Sequence, residues 1–161
     1  MQSVSLMDAP QGAIFLCRLP ERKPGTILPG TLLLDGIQDP GNLGTILRTA
    51  DALEVPVVLL DGCADTYNPK TVRASMGAVF RMPVWCTDAA AMRQRLTAAG
   101  LPLYGAALRD DTEDVRALDL RRCAIAIGSE GRGLTEQVLA MCDKTVRIPM
   151  QAHCESLNAA M

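Results

Sequence analysis

Short apolar runs rich in branched residues alternate along the chain with segments of helical pattern. We predict strands at residues 13–19, 31–35, 55–60, 82–86, 101–106, 123–127 and 145–148. Helices are predicted at residues 43–53, 69–76, 89–99 and 135–141. The strand runs are continuously hydrophobic, which is typical of sheets covered on both faces. Strands that alternate with helices predict an α/β fold, with a mostly parallel sheet and helices on both faces.

The composition fits one folded domain. The chain has 161 residues, of which 48% are hydrophobic, 21% charged and only 3% aromatic. No apolar stretch approaches the roughly 20 residues that a membrane span requires. The N-terminus lacks a basic region followed by an apolar run, so no signal peptide is visible. We therefore expect a cytoplasmic protein that makes no contact with a membrane.

Two further features of the composition limit the chemistry. Six cysteines are scattered without a C-x-x-C pair, and His153 is the single histidine, so no metal site is expected. The formal net charge is −2 at pH 7. Proteins that hold nucleic acid by its phosphates usually carry an excess of basic residues. Any function on RNA must therefore draw part of its basic surface from outside these residues.

Ligands of doubly wound folds bind at loops that follow the carboxyl ends of strands. The first such loop reads DGIQDPGNLGTILRTA over residues 35–50. Two of its glycines are spaced as in a phosphate-binding loop, but Asn42 and Leu43 occupy the positions of the required Lys and Ser or Thr. This argues against a nucleotide triphosphatase. Arg48, taken alone, is more commonly a solvent-facing charge than a functional residue.

The second loop reads GSEGRGL over residues 128–134. A dinucleotide fingerprint would need glycine at Glu136, and a nucleophile elbow would need glycine at Ile127. The three glycines therefore indicate either a tight turn between a strand and a helix or a loop that closely surrounds a ligand.

The third loop reads IPMQAHCESLNAAM over residues 148–161. It carries Glu155, Ser156 and Asn158 where a new helix should begin. Ser156 alone could be a helix cap and nothing more. His153 has no acidic partner nearby in sequence and fits a surface position.

Each loop is ambiguous alone, but their combination and order are specific. NLGTILRTA at 42–50, GSEGRGL at 128–134, and IPM at 148–150 followed by SLN at 156–158 resemble the three signature motifs of the SpoU (TrmH) family of RNA methyltransferases. NPKTVRASMG at 68–77 is also similar to that family. The resemblance extends over almost the whole chain.

The resemblance implies an α/β domain whose C-terminal segment passes through a loop to form a trefoil knot. It also implies a pocket for S-adenosylmethionine, built by the loops after the last strands. The implied cofactor-binding residues are Ala106, Ala107, Leu108, Ile127, Gly128, Ser129, Glu130, Gly131, Ile148, Pro149, Met150, Ser156, Leu157 and Asn158. The implied reaction is 2′-O-methylation of a ribose in tRNA or ribosomal RNA.

The family motifs also suggest catalytic roles, for Asn42, Arg48, Glu130, Ser156 and Asn158. In the family, the residue that matches Arg48 is proposed to activate the 2′-hydroxyl. A guanidinium stays protonated in nearly all settings, so binding a phosphate to align the ribose fits Arg48 equally well. Asn42 would position Arg48 or the ribose. Glu130 would order the glycine loop, and Ser156 and Asn158 would close the site around the cofactor.

The resemblance further implies a homodimer with RNA as substrate and no metal. Residues 1–161 are expected to form the catalytic domain without its last helix and without a separate N-terminal RNA-binding domain. Two alternatives stay open. One is a base-modifying methyltransferase of the same knotted superfamily, and the other is a non-catalytic RNA-binding module with this fold. An ordinary nucleotide-binding α/β domain is a weaker third alternative.

Overall fold

The computed structural model describes residues 15–151 and 157–161. Among these residues, the strands are β1 (Leu32–Asp35), β2 (Val57–Leu59), β3 (Val84–Cys86), β4 (Leu103–Ala106), β5 (Glu113–Asp114), β6 (Ala124–Gly128) and β7 (Lys144–Arg147). The α-helices are α1 (Pro40–Ala52), α2 (Pro69–Ala74), α3 (Ala89–Ala99) and α4 (Glu136–Leu139). The described part of the chain contains no helix long and apolar enough to cross a membrane.

The strands form one sheet in the order β3-β2-β1-β6-β4-β7-β5. Every pairing between these neighbours is parallel. All seven strands therefore have their carboxyl ends at the same edge of the sheet. This arrangement confirms the predicted parallel sheet, and it brings the loops after β1, β4, β6 and β7 next to one another.

Helices cover both faces of the sheet, as predicted. On one face, Leu33 and Val58 pack with Met92 of α3 and Val138 of α4. On the opposite face, the alternate strand residues, such as Leu34, pack against the apolar side of α1. A residue's neighbour along a strand points to the other face. Both sides of β1 and β2 are therefore buried, which explains why their sequences are continuously apolar, whereas β4 and β6 alternate buried with partly exposed residues.

The helix ends follow from local sequence. Asp39 caps α1 by accepting a hydrogen bond from the backbone N–H of Asn42 at 2.8 Å, and Pro40 occupies the first helical position. Asp88 caps α3 in the same way, through the backbone N–H of Ala91. Gly100 ends α3 in the left-handed conformation, at φ 60°.

Two expectations about strands were wrong. Residues 15–19 of the first predicted strand form no strand, and Phe15 and Leu16 are exposed. No strand of the described part of the chain pairs with these residues, so their apolar side chains are not buried against the sheet. Conversely, β5 lies in the densely charged segment 109–122, where we predicted no strand. Its two acidic residues pair with β7 through the backbone. Oε1 of Glu113 also forms an ion pair with Nζ of Lys144, at 2.7 Å.

The predicted knot concerns the path of the chain after β7. Residues 152–156 of that path lie outside the described residues, and they include Ser156, one of the predicted site residues. The knot therefore stays a prediction.

A close contact between α1 and α2 explains the glycine of the first motif. A Cβ atom at Gly44 would lie 2.5 Å from the carbonyl oxygen of Thr71 and 2.6 Å from Cβ of Ala74. Both distances are shorter than van der Waals contact. Only glycine lets the two helices approach this closely, and that approach positions the amino end of α1 relative to α2.

We expect Gly44→Ala to lower the free energy of unfolding by about 1–3 kcal/mol, because α1 and α2 must separate to admit the methyl group. Urea denaturation followed by circular dichroism measures the change. Thr49→Ala, at an exposed position of the same helix, is the control and should change the free energy by no more than about 0.5 kcal/mol. Equal unfolding free energies for Gly44→Ala and the unsubstituted chain would contradict the packing argument.

Candidate active site

The amino end of α1 lies at the carboxyl edge of the sheet and is held by an ion pair. Nζ of Lys70, on α2, lies 2.8 Å from Oδ2 of Asp39, the residue that caps α1. The hydrogen bond from Lys70 holds the pKa of the Asp39 carboxyl below its usual range, and the backbone N–H of Asn42 acts in the same direction. Asp39 is therefore ionised at neutral pH and keeps the first turn of α1 in place.

The glycine loop after β6 is closed by its own backbone. Ser129 and Gly133 exchange two backbone hydrogen bonds, at 3.1 and 2.8 Å. Gly133 has φ +68°, a left-handed conformation that favours glycine. A Cβ atom at Gly128 would overlap the backbone of Gly133 and Leu134. Glycines at 128 and 133 are thus required by the tight turn itself, whereas Gly131 has open space around it.

Three segments distant in sequence meet at the side chain of Glu130. Its Oε1 accepts a hydrogen bond from Nδ2 of Asn42 at 3.0 Å and another from the backbone N–H of Ala159 at 3.1 Å. Nδ2 of Asn158 in turn donates to Oδ1 of Asn42 at 3.4 Å. The structure therefore brings together Asn42, Glu130 and Asn158, one predicted site residue from each of the three motifs.

A cavity of about 440 Å³ lies beside this cluster, at the carboxyl ends of β4 and β7. Most of its lining is aliphatic. Seven of the predicted cofactor-binding residues line it: Ala106, Ala107, Leu108, Glu130, Ile148, Met150 and Leu157. The volume falls within the roughly 300–1,000 Å³ of small-molecule pockets. We call this the large cavity.

The remaining predicted cofactor-binding residues do not line the large cavity. Six of these lie in the described residues: Ile127, Gly128, Ser129, Gly131, Pro149 and Asn158. The side chain of Ile127 packs into the core on the α1 face. Gly128 lies directly against the backbone of Gly133 and Leu134, at the base of the turn. Ser129 and Gly131 instead line a smaller, polar cavity of about 170 Å³ between the glycine loop and the first turn of α1.

Two side chains of the glycine loop separate the two cavities. Glu130 and Arg132 line both the large cavity and the smaller one. The smaller cavity also contains Gln38, Asp39 and Asn42, whose side chains carry hydrogen-bonding groups. An apolar cavity and a polar cavity on the two sides of one loop could hold two different molecules next to each other.

Arg48 does not join the cluster around Glu130. It lies at an exposed position of α1, and its guanidinium makes no hydrogen bond or ion pair with another residue in ranges 15–151 and 157–161. The amide of Asn42 is occupied by Glu130 and Asn158, so Asn42 does not orient Arg48 in this arrangement. The guanidinium of Arg48 is accessible to a bound molecule or to a second subunit.

Several residues of the large cavity were missed by the sequence reasoning. They are Arg109, Arg132, Gly133, Leu134, Leu139, Val146 and Arg147. Arg132, Gly133 and Leu134 belong to the second motif, so their proximity in sequence to Glu130 was an available signal. Arg147 immediately precedes the predicted Ile148. Leu139 carried no signal, because its place in the cavity depends on how α4 packs.

A metal site is not present in the part of the chain that the structure describes. No group of three or more His, Cys, Asp or Glu side chains there could hold a metal ion.

Burial raises the pKa of the Cys142 thiol to about 11, with Asp143 and Asp35 adding to the effect, so this thiol is neutral at physiological pH.

Comparison with known proteins gives relatives of one kind. The chain is 36% identical over 160 residues to the 23S rRNA (guanosine(2553)-2′-O)-methyltransferase RlmP of Bacillus subtilis (strain 168), covering 99% of this chain and 64% of RlmP. The chain thus spans slightly less than two thirds of that relative's length.

Solved structures agree with this result. A TrmH family protein from Porphyromonas gingivalis superposes with a TM-score of 0.80 at 34% identity, covering 99% of this chain and 65% of its own. An AdoMet-bound rRNA methyltransferase from Sinorhizobium meliloti superposes with a TM-score of 0.76 at 33% identity, covering 83% of this chain and 54% of its own.

The family itself follows from the sequence profile, which matches most of the chain, including all three motifs and the sheet that carries them. Because the profile of the SpoU rRNA Methylase family matches residues 29–161, the chain belongs to that family, as the motif resemblance predicted.

Proposed function

We propose that this chain carries the catalytic domain of an S-adenosylmethionine-dependent RNA methyltransferase that methylates the 2′-hydroxyl of a ribose in tRNA or ribosomal RNA. The single observation that carries the proposal is the convergence of Asn42, Glu130 and Asn158 beside the large cavity. Membership of the family and the relatives' named activities support the reaction type. The cytoplasm, where these RNAs are found, is the proposed location.

The residues of the large cavity fit the proposed cofactor. Ala106–Leu108 and Ile148–Met150 lie at the carboxyl ends of β4 and β7, where backbone groups that are not bonded within the sheet would contact an adenine ring. The N–H of Ala107 is not one of them, because it donates to the carbonyl oxygen of Val146. Leu108, Leu134 and Leu157 supply apolar contacts. S-adenosylmethionine brings an electrophilic methyl group on a sulfonium, so the protein need only align the acceptor and remove its proton.

The polar cavity is the proposed position of the acceptor ribose. Asn42 and Gln38 offer hydrogen-bond donors and acceptors to hydroxyl groups. Glu130 separates the two cavities and would hold the loop at a fixed distance from both. Arg48 would contribute a positive charge, either on the phosphate next to the ribose or beside the reacting hydroxyl.

A homodimer is part of the proposal. Arg48 is exposed and lies outside both cavities, so a site completed by a second subunit would bring an arginine to the reacting atoms without rearranging α1. The net charge of −2 gives little general attraction for RNA. We therefore also propose that part of the substrate is held by surfaces outside these residues.

We expect the chain to bind S-adenosylhomocysteine in the large cavity, and isothermal titration calorimetry measures the affinity. The matching activity test uses a version of the chain extended at both ends, because part of the substrate is proposed to be held outside these residues. It is incubated with radiolabelled S-adenosylmethionine and bulk tRNA and ribosomal RNA, and the nucleosides are then analysed. The expected product is a 2′-O-methylated nucleoside. Absence of binding would contradict the cofactor assignment, and a methylated base would identify the reaction as base modification.

We expect Arg48→Ala to lower methyl transfer at least about 100-fold while the dissociation constant for S-adenosylhomocysteine stays within about three-fold, because Arg48 does not line the large cavity. Asn158→Ala should impair both methyl transfer and the binding of S-adenosylhomocysteine. Asn158 donates a hydrogen bond to Asn42 and accepts one from the backbone N–H of Ala160, and the substitution removes both bonds. Arg121→Ala is the control, because this exposed arginine precedes the amino end of β6. Parallel loss of binding and activity in Arg48→Ala would refute its assigned role.

A further inference from the structure

Asp35 is the one carboxylate among the buried residues that the structure describes. It ends β1 after the run Leu32–Leu34 and is only 3% exposed. No lysine or arginine of the described residues forms an ion pair with it. Removing a charge from water without a partner is costly, and apolar residues often replace buried charges with no loss of stability. Its presence therefore calls for a role beyond packing.

The hydrogen bond that Asp35 does make is directed at the glycine loop. Oδ2 of Asp35 accepts from the backbone N–H of Thr135 at 2.6 Å, across 100 residues of sequence. Thr135 is the cap residue of α4 and the first residue after the loop. On the neighbouring strand, the register partner of Asp35 is Gly128, the last residue before the loop. Asp35 thus lies beside one end of the loop and is bonded to the other.

The loop between these two ends supplies four residues to the large cavity: Glu130, Arg132, Gly133 and Leu134. Within the loop, the Ser129–Gly133 bonds hold the turn together, but they do not fix its orientation relative to the sheet. The bond from Thr135 to Asp35 fixes the orientation of the loop relative to the sheet, because Asp35 belongs to a central strand.

We propose that Asp35 is a positioning residue of the cofactor site: its buried carboxylate holds the Thr135 end of the glycine loop so that the loop forms one wall of the large cavity. This inference rests on the proposed function of that cavity. Asp35 does not line the cavity, so it acts through the loop and touches neither cofactor nor substrate.

Asp35→Ala and Asp35→Asn separate the hydrogen bond from the charge, since the asparagine carbonyl can still accept from Thr135. The control is Thr31→Val, because Thr31 is fully buried immediately before the amino end of the same strand and its hydroxyl is hydrogen-bonded to the backbone of Leu28. Calorimetry with S-adenosylhomocysteine measures affinity, and amide hydrogen exchange measures protection of residues 129–135 without ligand.

We expect Asp35→Ala to weaken binding at least ten-fold and to speed exchange of the loop amides, including that of Thr135. Asp35→Asn should restore affinity to within about three-fold of the unsubstituted chain. Thr31→Val should lose stability, yet keep its affinity and its loop protection. Urea denaturation of all three variants shows whether any loss of binding merely follows a loss of folded protein.

Unchanged binding and exchange in Asp35→Ala would overturn the proposal, as would equal weakening in Thr31→Val. Failure of Asp35→Asn to restore affinity would overturn the hydrogen-bond role in favour of the charge. If the unsubstituted chain itself does not bind S-adenosylhomocysteine, the proposed function is wrong. The exchange of the Thr135 amide still decides, in that case, whether Asp35 holds the loop.

Discussion

The carboxylate of Glu130 accepts hydrogen bonds from two segments that the chain order keeps far apart. Asn42 belongs to the first turn of α1, and Ala159 lies near the C-terminus. The two donors meet a single oxygen atom, so the positions of all three segments are linked. If the glycine loop moved, Glu130 could not keep both bonds. The shape of the large cavity and the position of Asn158 both follow from this junction.

The parallel sheet makes that junction possible. Because β1, β6, β4 and β7 are adjacent and point the same way, the loops that follow them emerge at one edge. Glycines then allow the close approaches that the edge requires: Gly44 where α1 meets α2, and Gly128 where β6 passes under its own loop. Packing therefore explains Gly44 and Gly128, whereas Asn42, Glu130 and Asn158 form the junction itself.

Much of this could be predicted from the sequence, and the failures have physical causes. The apolar runs located β1, β2, β3, β4, β6 and β7, and the signal was clearest for β1 and β2, which are buried on both faces. The same criterion failed for residues 15–19, which are apolar but exposed, and for β5, which is acidic and pairs through its backbone. The junction at Glu130 was expected only from the family motifs, since residue spacing alone cannot show which loops meet. Asp35 was overlooked although its charge ends an apolar run.

The most direct test of the account is a double-mutant cycle between Asn42 and Glu130, read out as affinity for S-adenosylhomocysteine. Glu130 lines the large cavity and Asn42 does not, so Asn42 influences binding there through its bonds to Glu130 and Asn158. We expect Asn42→Ala to weaken binding in the unsubstituted chain, and to weaken it much less once Glu130→Ala is present, because the bond between the two side chains is then already lost. Independent, additive losses from the two substitutions would contradict the account.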